Sequence, residues 1–351
     1  MWKKVCAVAV PVIIALGILA GMLIGVREDI STAISSVMPS WPLIIAAAAA
    51  ICICAWFLRG LRYKLILKRL DTAVSVPFST ACIYVSQTAN IIVPARLGDF
   101  VRMFILKHEK HTPYTAGFTS FAAERVYDII IIAVLGLISL PFLIPLIPSE
   151  YSWFSYLIYG VLIAGFAGVV FLILIRNAKT KNKILAKVLE IFAQFRTVSS
   201  TPFAFIILTL SSVIIWLLDI IICYLVSLMF GCEVNFLLVL LAVVIGNLVK
   251  AVPITPGGIG TYELALAVIL GLGGVPAALA TLIAVIDHLL KNLITIFGGI
   301  ISLIVFGEWS LALMKRLFKE GKSGLSTDEE KAAEDSKAGS DAASEKNAGI
   351  K

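Results

Sequence analysis

The segment NIIVPARLGDFVRMF, residues 90–104, interrupts an apolar run with a proline, a glycine and three charged side chains. A second interruption, PITPGGIG, lies at residues 253–260 and is also flanked by apolar sequence. Non-helical backbone is tolerated at bilayer depth only where it is buried in protein or lines a hydrated cavity. The two breaks therefore predict helices that stop inside a membrane and meet at a polar site.

The composition indicates a polytopic membrane protein. Hydrophobic residues make up 60% of the 351 residues, and charged residues make up only 15%, against roughly a quarter in soluble domains. The net charge of +7 comes from basic residues in short loops between apolar spans. That pattern marks cytoplasmic loops and does not suggest a nucleic-acid partner. The six cysteines lie mostly in or beside apolar runs, which indicates packing residues and not a disulfide framework.

Six apolar segments are long enough for a full crossing, which takes about 20 residues. We expect these spans at residues 5–26, 42–58, 126–147, 154–175, 203–230 and 277–306. The first span follows Lys3 and Lys4 and is longer than the apolar core of a signal peptide, so we expect an uncleaved helix.

Basic residues set the expected orientation of these spans. The basic loops at 59–71 and 176–200 are expected in the cytoplasm. Loops poor in basic residues are expected outside, at 27–41, 148–153 and 231–235. With this count both termini are cytoplasmic, and the expected location is the cell (plasma) membrane.

The regions 78–107 and 236–272 each contain one break, and we expect each to form a re-entrant hairpin that enters and leaves on one side. PARLGDF in the first half and PGGIGTY in the second occupy matching places, and the two units run in opposite directions. This arrangement indicates an inverted-topology repeat, with chance similarity as the alternative. The expected fold is an all-α polytopic membrane protein with about six full transmembrane helices and two re-entrant helical hairpins.

Two regions of different character are expected along the chain. Residues 1–310 form the transmembrane domain, and residues 311–351 form an amphipathic end followed by a disordered cytoplasmic tail. The segment ALMKRLFKEGK, residues 312–322, has the pattern of a helix lying on the inner membrane surface. From about residue 321 the chain is nearly free of apolar residues and cannot bury enough surface to order itself.

Charged residues within or beside the apolar runs predict a polar path, because each costs at least ~2.5 kcal/mol at the bilayer centre unless it is paired or hydrated. The arginines and the free N–H groups of the second break suit phosphate oxygens. The acids would balance charge, bind an amino headgroup or carry a coupling proton. The candidate substrate-binding residues are Arg96, Asp99, Arg102, Glu124, Arg125, Asp128, Asp219, Lys250, Gly257, Gly258, Gly260, Glu263, Asp287, His288 and Lys291.

Structural explanations compete with these roles. Arg96, Asp99 and Arg102 are equally compatible with an ion-pair set that holds the first hairpin shut. Independently, Glu124 and Arg125 would mark only the point where a helix enters the bilayer. The second break would be a plain turn in a third structural explanation. The sequence contains no nucleophile elbow, phosphate-binding loop or metal-ligand pattern, so no catalytic residue, metal or cofactor is predicted.

The segments PARLGDFVRMFILKHE, AGFTSFAAERVYDIIIIAVLGLI and VPITPGGIGTYELALAVIL resemble the integral-membrane family that includes the transmembrane part of lysylphosphatidylglycerol synthases. The combined motifs P-x-R-x-G-[DE], E-R-x-x-D and P-x-T-P-G-G-x-G-x-x-E carry this resemblance over most of residues 5–306. The matching positions are Arg96, Gly98, Asp99, Glu124, Arg125, Asp128, Pro256, Gly257, Gly258, Gly260 and Glu263.

In that family the membrane part is thought to flip phospholipids, while a separate cytoplasmic domain transfers aminoacyl groups. The resemblance therefore implies a flippase-like protein, here without the transferase domain. Family members commonly carry an arginine in the last span, where this sequence has His288 with Lys291 nearby. This departure leaves the preferred headgroup open.

The first functional hypothesis is a lipid translocator that moves a phospholipid or a polyprenyl-phosphate-type amphiphile and is not an enzyme. Its expected partners are membrane lipids with anionic or polyprenyl-phosphate heads, and a homodimer is a further hypothesis. The alternative is a membrane-embedded enzyme that acts on lipid-phosphate substrates with the same carboxylates. A third hypothesis is a scaffold that binds partners through its cytoplasmic tail.

Overall fold

The computed structural model describes residues 2–93, 96–146, 149–174, 189, 193, 195–252 and 254–320. Within these residues the chain is helical and contains no β-strand. The α-helices with bounds in the described residues are α1 (Trp2–Gly25), α2 (Ile30–Ser35), α3 (Trp41–Lys68), α4 (Val76–Ile92), α5 (Gly98–Lys110), α6 (Tyr114–Leu143), α7 (Ser152–Leu174), α8 (Pro202–Met229), α9 (Phe236–Ala251), α10 (Thr261–Leu272), α11 (Ala277–Phe306) and α12 (Glu308–Glu320).

Three of these helices, α3, α8 and α11, are long and apolar enough to cross a membrane, with 28, 28 and 30 residues. Shorter apolar helical stretches occupy residues 9–25, 159–168, 236–251 and 256–272 in the described part of the chain. The all-helical membrane fold is therefore confirmed. The count of six full crossings and the re-entrance of the hairpins stay predictions.

Each region that contains a break consists of two helices packed against one another. Helices α4 and α5 flank the first break, and α9 and α10 flank the second. A short 3₁₀ turn, Pro256–Gly258, fills part of the second break. The predicted division of 78–107 and 236–272 into paired helices is present. The tail from residue 321 and most of the predicted loop 176–200 lie outside the described residues.

Two helices extend beyond the predicted spans. Helix α3 continues to Lys68, so most of the predicted loop 59–71 is helical. Neither proline nor a run of turn residues stops the helix before Asp71, and the long arginine stems pack inward. Helix α6 begins at Tyr114 after Pro113, twelve residues before the predicted span 126–147, because its first turns are polar and hydropathy does not detect them.

Helix α4 lies at the centre of the packing and positions the first break. It contacts α3, α5 and α11, and it also contacts the 3₁₀ turn of the second break. Glycines make this close packing feasible, since a Cβ atom on Gly60 of α3 or Gly299 of α11 would collide with threonine side chains of α4. The contact of α4 with the 3₁₀ turn holds the tip of one hairpin against the tip of the other.

Candidate functional site

A cavity of about 530 Å³ lies where the two hairpin tips meet, between α3, α6, α8 and α11. The tips touch directly, because a Cβ atom built on Gly257 would lie 3.2 Å from the Cα atom of Ile91. Eleven of the candidate residues line this cavity: Arg96, Asp99, Glu124, Arg125, Asp128, Asp219, Lys250, Gly257, Gly258, His288 and Lys291. The other four, Arg102, Gly260, Glu263 and Asp287, are absent from its lining.

The first break places Asp99 beside α4 through an unusually close helix contact. A Cβ atom on Gly98 would collide with the backbone carbonyl of Ser86 and the amide of Asn90, so only glycine fits there. Just before it, Arg96 adopts a left-handed backbone with φ of 55°. A non-glycine residue rarely adopts this conformation, and such strain often occurs at functional sites.

Asp99 is buried and its side chain is surrounded by donors. It accepts hydrogen bonds from the Asn90 amide at 3.0 Å and from Arg102 at 3.3 Å. Two further guanidinium groups approach it at longer range, Arg125 at 3.6 Å and Arg96 at 3.7 Å. Asp99 is therefore fully compensated, whereas Arg96 and Arg125 are only loosely engaged.

Behind the cavity wall, two completely buried arginines hold two carboxylates. Arg102 donates to Glu124, and Arg62 donates to Glu124 at 3.2 Å and to Asp128 at 2.7 Å. Arg62 also donates to the hydroxyl of Ser212 at 2.8 Å. Buried ions need such pairing because an isolated charge is costly to desolvate. This geometry supports the structural explanation for Arg102, and Glu124 lies in the bundle interior.

Arg59 and Arg62 are site residues that the sequence reasoning missed, because both were assigned to a cytoplasmic loop. Arg59 forms an ion pair with Asp219, whose backbone carbonyl also accepts a hydrogen bond from Lys291 at 3.0 Å. The two arginines are three residues apart, and apolar residues follow at 65–67. That spacing places them on one helix face and is the signal that could have identified them.

The second break is held by Glu263. The three glycines of the break, Gly257, Gly258 and Gly260, all have positive φ angles. One oxygen of Glu263 accepts a hydrogen bond from the backbone N–H of Gly260 at 2.7 Å, which caps the start of α10. Glu263 thus stabilises the backbone of the break, and its side chain is not part of the cavity lining.

The other oxygen of Glu263 lies 2.7 Å from Nδ1 of His288, and Nε2 of His288 lies 3.0 Å from the ammonium of Lys250. A carboxylate only accepts hydrogen bonds and an ammonium only donates them. With an ammonium on Lys250 and a carboxylate on Glu263, the ring carries its proton on Nδ1 and accepts from Lys250 through Nε2, so His288 is neutral in that arrangement.

Asp287 and Lys291 form an ion pair at 2.7 Å within α11. The hydroxyl of Tyr262 donates to the second oxygen of Asp287 at 2.9 Å. Both residues are thus compensated locally. Among the described residues, no group of three or more His, Cys, Asp and Glu side chains is arranged to hold a metal ion.

Comparisons with known proteins agree with the motif resemblance. The family model described as "Lysylphosphatidylglycerol synthase TM region" matches residues 9–299. A protein named "Glycosyltransferase AglD" from Haloferax volcanii is 32% identical over 330 residues, which cover 82% of this chain and 53% of that protein. The chain thus spans about half the length of that relative.

Two further relatives match along most of their own length. A protein named "UPF0104 membrane protein" from Methanothermobacter thermautotrophicus is 26% identical over 336 residues, or 86% of this chain and 92% of that protein. Another UPF0104 membrane protein, from Methanocaldococcus jannaschii, is 30% identical over 220 residues, or 62% of this chain and 93% of that protein.

Proposed function

Because the chain belongs to the lysylphosphatidylglycerol synthase transmembrane-region family, we propose that it is an integral membrane lipid translocator. It moves a phospholipid or a polyprenyl-phosphate-type amphiphile through the cavity between its two hairpin tips. The observation that carries this proposal is a polar, cation-bearing cavity placed between interrupted helices of an apolar helical bundle. Binding sites of transporters built from broken helices are found at such places.

The cavity has a size suited to a headgroup. Its volume of about 530 Å³ falls within the roughly 300–1,000 Å³ of small-molecule sites. Large apolar side chains of α8 and α11, including Phe203, Phe297 and Ile304, are exposed on the outside of the bundle. The acyl or prenyl chains would stay against these surfaces in the bilayer while the polar head passes inside.

Arg96 and Arg125 would attract the phosphate. Both line the cavity, and their side chains keep 30% and 28% of their surface exposed. A guanidinium group offers paired N–H donors that match two phosphate oxygens. Arg102 and Arg62 are less suited to this role because carboxylates already occupy them.

The test is reconstitution of the full chain in liposomes with fluorescent lipids, followed by quenching from the outside. Translocation should exceed that of protein-free liposomes for at least one anionic or polyprenyl-phosphate lipid. The double change Arg96→Gln with Arg125→Gln should slow it about tenfold or more, since a charged hydrogen bond is worth about 1.5–3 kcal/mol. Arg27→Gln is the matched control, because Arg27 is 73% exposed and outside the cavity lining. Background rates for every lipid would refute the proposal.

An enzyme that acts on lipid-phosphate substrates is the second candidate, and the name of the Haloferax relative favours it. In this case the carboxylates of the cavity would act as acid and base. Product formation in detergent, where no two sides exist, would support the enzyme. Transport in liposomes without any change in the lipid would support the translocator.

The remaining expectations belong to the same proposal. The partners are membrane lipids with an anionic or polyprenyl-phosphate head, the location is the cell membrane, and both termini are cytoplasmic. The proposed assembly is a homodimer. Crosslinking in native membranes would show it as a species of twice the mass of the chain.

A further inference from the structure

The carboxylates around the cavity already have partners. In the part of the chain that the structure describes, each carboxylate on or directly behind the wall contacts a cation, or a histidine and a backbone N–H. These pairs are Asp99 with Arg102, Glu124 with Arg62 and Arg102, Asp128 with Arg62, Asp219 with Arg59, Asp287 with Lys291, and Glu263 with His288 and the N–H of Gly260. An amino group on a bound lipid would therefore find no uncommitted acid.

Three cations on the wall are differently placed. The nearest carboxylate oxygens lie 3.6 Å from Arg125 and 3.7 Å from Arg96, and both belong to Asp99, which already accepts from other donors. Among the described residues, Lys250 has no carboxylate oxygen within 4.0 Å, and its polar contact is His288.

Lys250 is held in place without being neutralised. The neutral ring of His288 accepts its hydrogen bond at 3.0 Å, and Glu263 fixes that ring at 2.7 Å. The lysine stem also packs so closely on the backbone of Gly258 that a Cβ atom there would lie 2.5 Å from the lysine Cγ. A carboxylate at position 288 would have cancelled the charge, whereas histidine positions it and leaves it available to a ligand.

These cations face one space from different elements. Arg96 lies in the first break, Lys250 lies near the end of α9 just before the second break, and Arg125 lies on α6. All three line the cavity where the tips touch. We propose that Lys250, Arg96 and Arg125 form a phosphate subsite, and that the cavity selects lipids with a net negative phosphate headgroup and no amino group. This inference rests on the proposed function and names the substrate class of the same site. It disfavours aminoacylated, cationic headgroups, because no free carboxylate is there to bind their ammonium groups.

Binding by the purified full chain in detergent tests the subsite without any transport step. The probes are short-chain phosphatidylglycerol, which has a net negative headgroup and no amino group, and short-chain phosphatidylethanolamine, whose ammonium group cancels the phosphate charge. Binding is read as the change in tryptophan fluorescence, to which Trp56 and Trp216 on the cavity wall contribute. We expect phosphatidylglycerol to bind about tenfold more tightly, a difference that one charged contact can supply. A short prenyl monophosphate and inorganic phosphate form two further arms. Tighter binding of the prenyl compound than of phosphatidylglycerol would point to a polyprenyl source.

Variants assign the preference to Lys250. Lys250→Gln should weaken phosphatidylglycerol binding about tenfold and remove the preference over phosphatidylethanolamine, while Lys250→Arg should keep both. Arg125→Gln gives the same readout from α6 if Lys250→Gln does not fold. Lys68→Gln, at the exposed end of α3, is the control that should change nothing.

The outcomes separate this inference from the proposed function. Selective binding of phosphatidylglycerol with no transport in liposomes would keep the subsite and refute the translocator. Equal binding of the two lipids, or an unchanged preference in folded Lys250→Gln and Arg125→Gln, would refute the subsite even if transport occurs.

Discussion

Arg62 of α3 has almost no exposed surface, and it donates hydrogen bonds to two carboxylates of α6, Glu124 and Asp128. Sequence reasoning identified both acids, since a charge within an apolar run is conspicuous. It could not identify their partner, because a basic residue after an apolar span also fits a cytoplasmic loop. Which cation meets which acid depends on how α3 and α6 pack, and no spacing along the chain contains that information.

The first prediction concerns this residue. Arg62→Met should destabilise the protein by about 3–5 kcal/mol, because it leaves two carboxylates buried with one cation fewer. The measurement is the thermal unfolding midpoint of the purified protein in detergent, with Arg69→Gln as the control. Arg69 lies at the exposed end of the same helix, and its guanidinium donates to the hydroxyl of Thr201 at 3.1 Å. Equal midpoints for the two variants would contradict this account of Arg62.

At the scale of the helices, the breaks were predictable because proline and glycine interrupt apolar sequence in both of them, with charged residues inside the first. The end of α3 was not predictable from hydropathy, since its last three turns are amphipathic and basic. The contact between the two tips follows from tertiary packing of α4 on the 3₁₀ turn. Sequence symmetry suggested that the breaks meet, but only the packing identifies Ile91 and Gly257 as the touching residues.

Gly257→Ala is the prediction for this contact. Gly257 has φ of 62°, and an added Cβ atom would lie 3.2 Å from Ile91. An alanine in the left-handed region costs roughly 1–2 kcal/mol, so the unfolding midpoint should fall and translocation should slow. Gly17→Ala in α1 is the matched control, since nothing lies within 4 Å of its added atom. If Gly257→Ala behaves like Gly17→Ala, the tips are not in contact as described.

At the scale of the whole molecule, the arrangement in the bilayer is the part of the fold that still rests on charge asymmetry. Helix lengths and apolar surfaces establish a membrane protein, whereas the expected orientation rests on the basic residues between the apolar segments of the sequence. The sequence predicts a polar cavity, because many ionisable groups in apolar runs require a polar interior. The sequence could not show which charged groups of the cavity are paired and which three cations are available, because this depends on the contacts between helices.

Reporter fusions test the orientation. Green fluorescent protein after Lys351 should fluoresce, and alkaline phosphatase inserted after Cys232 should be active, because the C-terminus is expected inside and the loop 231–235 outside. Exchanging the two reporters serves as the internal control, since each should then lose its signal. The opposite pattern would invert the proposed topology and with it the faces from which the hairpins enter.

The tail offers a separate test of the scaffold hypothesis. Deletion of residues 321–351 should leave lipid transport within about twofold of the full chain, since this sequence is nearly free of apolar residues and supplies none of the cavity-lining side chains named above. A scaffold that acts through this segment would instead lose its partners and its function on deletion. Transport in liposomes together with co-purification from membranes distinguishes these results.

The pairing of acids with cations around the cavity has an electrical consequence. A lipid phosphate that passes a wall with no mobile countercharge carries its own negative charge across the bilayer. A membrane voltage would therefore do work of about 2.3 kcal/mol per elementary charge for each 100 mV. An inside-negative potential would push an anionic headgroup outward with no other energy source. A potassium diffusion gradient set by valinomycin in liposomes should accordingly speed export of such a lipid and retard its return.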